Sequence, residues 1–404
     1  MDPGLRTGKA PSKPEFSVVP QRCGHTGRPV SAEAESEWLM RVALKECSWR
    51  AVGEDLVIVF DPRESITLED PEGKIGALLT ALGQGPRSIP ELRAALGARG
   101  VDVTEEELGK GVEGLAGLGL IERAGGRSTG DPVVDERHFS NLAFFGTFAD
   151  LDRHRTDFLR RVRDAHVLVL GVGGGGSSLV QCLAGLGVGR LTLLDHDRVE
   201  SRNFARQFLY RHEDIGRSKV ERARAWVQAY DPDIEVRTVD RWVAGPEDLA
   251  DVTDGIDLMA GGLDGHPDAG LWVNEAAVRA GVPMVAGGAT RTLLSYISVN
   301  PGVSPCLACE FSQRPVEGTA AAAAEDIVYG MRTTNPLIGP LAMQVGSLIA
   351  LESLRYLTGF QEPLAAGARI RIDLRDGLAG SRVPFPDVPD CPVCALAPAR
   401  SAAA

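Results

Sequence analysis

The sequence predicts an α/β protein: a Rossmann-like doubly wound sheet with structural zinc, preceded by a winged-helix-like α+β module. Three observations carry the first part. Residues 166–176 read HVLVLGVGGGG, and an apolar β-branched run of this length is a fully buried strand. An apolar stripe at Leu179, Cys182, Leu183 and Leu186 follows at helical spacing. A second strand, Leu191 to Leu194, then ends in Asp195 and Asp197. Strand, glycine turn, helix, strand and acid make up half of a nucleotide-binding sheet.

The whole-chain bounds agree. A length of 404 residues suggests two to three domains. The formal net charge of −12 argues against nucleic acid as a partner, since phosphate binding needs a basic face. No apolar run reaches the length of a membrane span, and the opening MDPGLRTGKAPSKPEF has no signal-peptide core. A cytoplasmic protein with no membrane partner is expected. Residues 1–35 are rich in Gly, Pro, Ser, Arg and Lys without apolar periodicity and read as a disordered arm. Cys23 and His25 within it are isolated and are given no metal role.

Residues 36–125 form the expected module. Trp49 to Val52 and Leu56 to Phe60 flank Gly53-Glu-Asp55 and read as a hairpin. Ser65 to Leu68 adds a third strand. Helices are expected over 71–83, 88–97 and 104–118, the last two with capping boxes at Ser88/Glu91 and Thr104/Glu107. Leu120 to Arg123 closes the module as a strand. Residues 126–136 are assigned as a linker and 137–404 as the second domain.

The glycines alone admit two ligands. Gly171, Gly173 and Gly176 fit a dinucleotide fingerprint, with Gly174 beside them and Asp195 where a ribose-binding acid belongs. NAD and ATP are equally served by that pattern. The residues beyond Asp195 favour ATP. Asn203, Arg206 and Gln207 crowd past the second strand, and Lys219 comes next within GRSK. Hydride transfer needs no such cations, whereas cleaving ATP depends on stabilising phosphate charge.

With those residues in place, LLDHDRVESRNFARQ and GRSK resemble the ThiF/MoeB/HesA family of ubiquitin-activating-enzyme-like adenylating enzymes, over roughly residues 137–396. Arg202 stands where the family usually has Ser. The resemblance implies adenylation of a C-terminal carboxylate, with Asp195 on the ribose and Asn203, Arg206 and Lys219 on the phosphates. Arg206, Lys219 and Asp264 would be catalytic. Asp264, just past the strand Asp257 to Ala260, would hold magnesium. Family members also carry an arm whose second Arg reaches the partner subunit's ATP, which implies a homodimer. Here Ser140 occupies that position and Arg137 is the nearest arginine.

Further strands are expected at Ile234 to Val239, Pro283 to Ala286 and Leu293 to Val299. Helices are expected from Lys219 to about Gln228 and over 270–280. Residues 341–357 are apolar almost all round and read as a buried helix. The alanine-rich stretch 314–335 is assigned as a loop crossing the site, as the family has. Family members that pass the acyl group to sulfur carry a cysteine near here, but Tyr329 to Pro336 has none and Arg332 lies near the expected place.

Four of the seven cysteines form two C-x-x-C pairs, Cys306/Cys309 and Cys391/Cys394. Each pair presents two thiolates from one turn, and together they complete a closed tetrahedral zinc site of structural type. Cys182 reads as a small core residue.

The module at 36–125 is similar to PqqD-like peptide-recognition domains, in which a precursor's leader pairs as an extra strand. A structural role and DNA binding remain alternatives, though Glu105, Glu106, Glu107 and Glu113 make the third helix acidic. The reading is therefore an ATP-dependent adenylyltransferase using Mg2+ and Zn2+, acting on a ribosomal precursor peptide. Activation of a ubiquitin-like sulfur-carrier protein is the alternative, and a non-catalytic leader-binding partner is a third.

Overall fold

The computed structural model describes residues 40–312 and 337–399, with Thr319, Ala320 and Ala323 between them. The arm at 1–35, with Cys23 and His25, lies outside the described residues. So does the expected crossing loop at 314–335 apart from those three positions, and Arg332 with it.

The described residues open with a short strand that sequence reasoning missed, β1 (Val42–Leu44). Then come β2 (Ser48–Val52), β3 (Asp55–Asp61) and β4 (Glu64–Glu69), which form an antiparallel sheet in that order. Helices α1 (Lys74–Gly83), α2 (Ile89–Gly97) and α3 (Glu105–Gly117) come next, and β5 (Ile121–Arg123) returns to pair with β1. Both expected capping boxes form. The Glu91 carboxylate accepts from Ser88 N at 2.8 Å, and that of Glu107 from Thr104 N at 2.8 Å. Helix α1 starts later than the pattern suggested. The Asp70 carboxylate accepts from Ile75 N and Gly76 N at 3.0 and 2.8 Å, and this holds Pro71 to Gly73 as a turn. Ile58, Leu79, Leu92 and Leu96 are fully enclosed and make this module's own core.

The expected linker is largely helical. Asp131 caps α4 (Pro132–Arg137) by accepting from Val133 N at 2.8 Å, and α5 (Phe139–Gly146) and α6 (Arg155–Asp164) complete the region. The module is fastened to it by Glu122, which is 1% exposed. Glu122 forms a two-point ion pair with Arg155, and Arg127 lies 3.3 Å away. One-sided loss of such a buried pair leaves an uncompensated charge, so the junction is fixed electrostatically.

The second domain is organised on β6 (His166–Leu170), α7 (Gly174–Leu186), β7 (Arg190–Leu194), α8 (Lys219–Tyr230), β8 (Glu235–Val239) and β9 (Leu258–Gly261). It continues through α9 (Ala269–Ala280), β10 (Met284–Thr290), β11 (Leu293–Val299), α10 (Leu307–Phe311) and α11 (Gly339–Thr358) to β12 (Ala368–Asp373) and β13 (Ala379–Pro384). One sheet of eight strands results, in the order β13-β12-β11-β10-β9-β6-β7-β8. The five strands from β10 to β8 are parallel to their neighbours, and β11 to β13 extend the sheet antiparallel. The strand order reverses between β6 and β9. In open α/β sheets that reversal opens the ligand-binding crevice.

Sequence reasoning missed β12 and β13. The period-2 alternation of Ala368-Arg-Ile-Arg-Ile-Asp373 was the available signal, and Ala368 and Ile370 are buried while Arg371 is exposed.

Helix α11 is not buried all round, as its composition suggested. Met343 and Leu351 are 47% and 44% exposed, one stripe two turns apart. Cys182 is half-buried rather than enclosed, with its Sγ 3.8 Å from Ser347 Oγ. Helices α7 and α11 pack closely. They cross where Gly346 meets Gly175, and a Cβ on Gly346 would stand 2.5 Å from Gly175 O.

Since the obstruction is backbone, Gly346→Ala should force the helices apart. A loss of roughly 1–3 kcal/mol, the ordinary cost of overpacking, is expected in denaturant unfolding. Unchanged stability would show that the crossing yields freely.

Candidate active site

The turn after β6 is built by glycine for steric reasons. Gly171 has φ +74°, and a Cβ on it would lie 2.5 Å from Gly262 O. A Cβ on Gly176 would lie 1.8 Å from Gly171 O. The chain therefore turns tightly into α7, and the unpaired N–H groups of that helix start face the crevice. Gly262 N donates to Leu170 O at 2.8 Å, which brings the loop after β9 against the same turn.

Asp195 anchors this geometry. It is 8% exposed, and its carboxylate accepts from Val172 N and Asp197 N, both at 2.8 Å. Asp197, by contrast, is half-exposed and accepts from Lys219 Nζ at 2.6 Å. The Lys219 side chain is only 5% exposed, and Lys219 N donates to Asp197 O at 3.0 Å.

Asn203 is buried, and its Oδ1 accepts from Glu200 N at 2.9 Å. Gln207 is 2% exposed and faces Gly173. Its Oε1 is buried without a partner among the described residues. Arg206 packs its side-chain stem beside Gly174. The guanidinium donates only to Arg202 O at 3.5 Å, and no carboxylate pairs with it among the described residues. Asp264 is exposed in the loop after β9 and has no hydrogen bond or ion pair among the described residues. The structure thus brings Gly171, Gly173, Gly174, Gly176, Asp195, Asp197, Arg206, Gln207 and Lys219 to one end of the sheet. The loop that carries Asp264 lies against them.

Sequence reasoning missed Tyr210. It is buried, and its hydroxyl donates to Val172 O at 2.6 Å. Burial raises its pKa well above the ordinary tyrosine value, so it stays a donor. An aromatic just past the polar cluster was the only signal.

Arg137 is committed elsewhere within its own chain. It pairs with Asp231 at 3.1 Å, donates to Ala184 O at 3.5 Å and lies over the Tyr230 ring. Those groups lie at the C-terminal end of α7, away from the glycine turn. Ser140 is exposed on α5.

The four cysteines converge. Cys306 Sγ lies 3.9 Å from that of Cys309 and 3.8 Å from that of Cys391, and Cys309 and Cys394 are 3.5 Å apart. All four sulfurs lie within 4.8 Å of one another. Tetrahedral zinc with Zn–S bonds of about 2.3 Å requires S···S edges of about 3.8 Å, so the cluster is compatible with zinc.

The sequence model of the ThiF family matches residues 147–393. The chain belongs to the ThiF family. Among its relatives is the sulfur carrier protein adenylyltransferase of Thermus thermophilus, 31% identical over 270 residues, which are 63% of this chain and 94% of that protein. Protein HesA of a Nostoc species is 29% identical over 235 residues, covering 58% of this chain and 86% of HesA. Among solved structures, the Escherichia coli MccB complex with ATP superposes with a TM-score of 0.72 at 19% identity. That match covers 88% of this chain and all of the other. A further structure of Escherichia coli MccB gives 0.73 at 20% identity, covering 88% and 97%. The MccB likeness concerns the fold. Membership in this family makes the chain an ATP-dependent adenylyltransferase.

Tyr210→Phe removes one hydrogen bond and leaves the Val172 carbonyl buried and unpartnered. A destabilisation of about 1–3 kcal/mol is expected in denaturant unfolding. An unchanged midpoint would show that the Tyr210 bond does not hold the turn.

Proposed function

We propose that this ThiF-family enzyme adenylates the C-terminal carboxylate of a peptide or small protein. The carboxylate oxygen attacks the α-phosphorus of ATP. An O–P bond forms, the α–β phosphoanhydride bond breaks, and pyrophosphate leaves. No proton is transferred, so no general base is assigned. The difficulty is an anion approaching an anion, and the site must supply charge and alignment.

One observation carries this reading. Arg206 beside the α7 start and Asp264 beyond β9 lie on the two sides of the switch point, and neither has an ion-pair partner among the described residues. Fixed charges left uncompensated beside a phosphate-receptive helix start suit a triphosphate and its counterion. Arg206, Lys219 and Asn203 are assigned to phosphate oxygens, with Gln207 over the glycine turn. Asp264 would hold magnesium, which when bound neutralises phosphate charge while keeping several of its own waters. The ribose is assigned in this reading to Asp197, where spacing alone pointed to Asp195. Asp195 is buried with both oxygens engaged by backbone, whereas Asp197 is half-exposed.

The substrate class rests on the N-terminal module. The MccB matches span more of this chain than residues 147–393, and one MccB structure is described as a complex with N-formylated MccA. The free edges of β2 and β4 could each accept an added strand. A ribosomal precursor peptide recruited through residues 36–125 is the favoured substrate. Activation of a sulfur-carrier protein is the second reading, supported by the name of the Thermus relative. A second copy of the chain is proposed to cover the exposed Met343 and Leu351 stripe. A cytoplasmic setting suits the use of ATP and keeps four thiolates reduced, and no helix among the described residues is long and apolar enough to cross a membrane.

The test is exchange of labelled pyrophosphate into ATP, driven by a pool of peptides with free C-termini. The same pool amidated should give none. Asp264→Ala or Arg206→Ala should lower the rate by roughly 100-fold or more, the scale of losing one preorganised electrostatic group. Wild-type exchange in either variant removes that residue from the site.

Zinc is proposed to be held by Cys306, Cys309, Cys391 and Cys394, closing the C-terminal tail onto the α9–α10 face. About one zinc per chain is expected from elemental analysis, with binding worth on the order of 10–16 kcal/mol. Freshly purified protein without zinc would contradict the assignment.

A further inference from the structure

Trp242 has no role in the chemistry above, yet it occupies the same crevice. It lies just past β8 and is 48% exposed. Its ring meets the His196 ring edge-on, with centroids 4.5 Å apart and planes at 89°. His196 sits between Asp195 and Asp197 in sequence, and its Nε2 lies 3.3 Å from Asp197 Oδ1. The tip of the indole also meets Gly265, next to Asp264. A Cβ at Gly265 would stand 3.0 Å from Trp242 Cη2, and its φ of +98° also demands glycine. The indole therefore bridges the loop after β7 and the loop after β9, at the C-terminal ends of the parallel strands.

We propose that Trp242 is the platform on which the adenine base of ATP stacks, and that His196 and Gly265 set its position. This rests on the nucleotide reading under Proposed function. If Asp197 holds the ribose hydroxyls, the base lies one sugar ring away. His196, the neighbouring residue, leads directly to the indole. Trp242 is 48% exposed. A large flat aromatic left open there offers a stacking face for a purine. The contact is remote from the α-phosphorus, so it contributes to binding and not to the chemical step.

The experiment uses the full chain with ATP and magnesium as the probe. Binding is measured by calorimetry and by tryptophan fluorescence. Trp242→Ala should weaken ATP binding by about tenfold to a hundredfold. Trp242→Phe should stay within about threefold of wild type, because a smaller aromatic face remains. ATP should quench fluorescence in the wild type, and Trp242→Phe should lose that quench while still binding. This second variant keeps the test decisive if the alanine protein fails to fold. An unweakened Trp242→Ala, or a quench that persists in Trp242→Phe, overturns the assignment and leaves the adenylation reading intact. Wild-type protein that binds no ATP overturns both.

Discussion

The site depends on one buried carboxylate. Asp195 receives the backbone N–H of Val172 from the glycine turn and the backbone N–H of Asp197 from its own loop. Two chain segments 23 residues apart are thereby held in one geometry. Charge-assisted bonds of this kind are stronger than neutral ones and costly to leave unmade in a buried place. Tyr210 braces the same turn from the other side through the Val172 carbonyl. Both polar groups of Val172 are thus held by side chains, and the start of α7 is fixed before any ligand arrives. Catalysis by preorganised charge needs such rigidity, because donors that must reorganise lose much of their effect.

The charged groups divide by exposure. Lys219 is almost enclosed and already paired with Asp197, so its charge is compensated within the protein. Arg206 and Asp264 have no such partner among the described residues. A buried cation without a counterion would be expensive. The Lys219–Asp197 pair therefore keeps a cation at the C-terminal end of the strands without that cost. The pair can also redistribute: Asp197 has 45% of its side chain exposed and room to accept further hydrogen bonds.

Two further enclosed carboxylates keep the larger pieces together. Glu352 on α11 is 0% exposed and accepts from Ser298 Oγ, Leu364 N and Ala365 N, with Arg355 at 3.1 Å. It ties the long helix to the antiparallel part of the sheet. Glu122 does the same between the N-terminal module and α6. In both cases the carboxylate is met by several donors, which is the condition under which a buried charge is tolerated. The module and the sheet are therefore joined by a specific contact and not merely by a tether.

Much of the fold was legible because its signals are local. The buried run at β6, the glycines and the capping boxes at Ser88 and Thr104 each report on a few neighbouring residues. The features that were not legible depend on partners distant in sequence. β1 pairs with β5 and bridges to Arg87, both far along the chain, and the close crossing of α7 and α11 depends on Gly346 meeting Gly175. The acids after β7 show the limit most sharply. Asp195 and Asp197 are chemically identical, and spacing alone assigns the ribose to the first. The fold separates them by burial. Asp195 is enclosed between β7 and the glycine turn, where two backbone donors occupy it. Asp197 lies beyond that clasp and keeps nearly half its surface open. The two acids of the motif therefore stand in different surroundings, one engaged by backbone N–H groups and one paired with Lys219 and half-exposed.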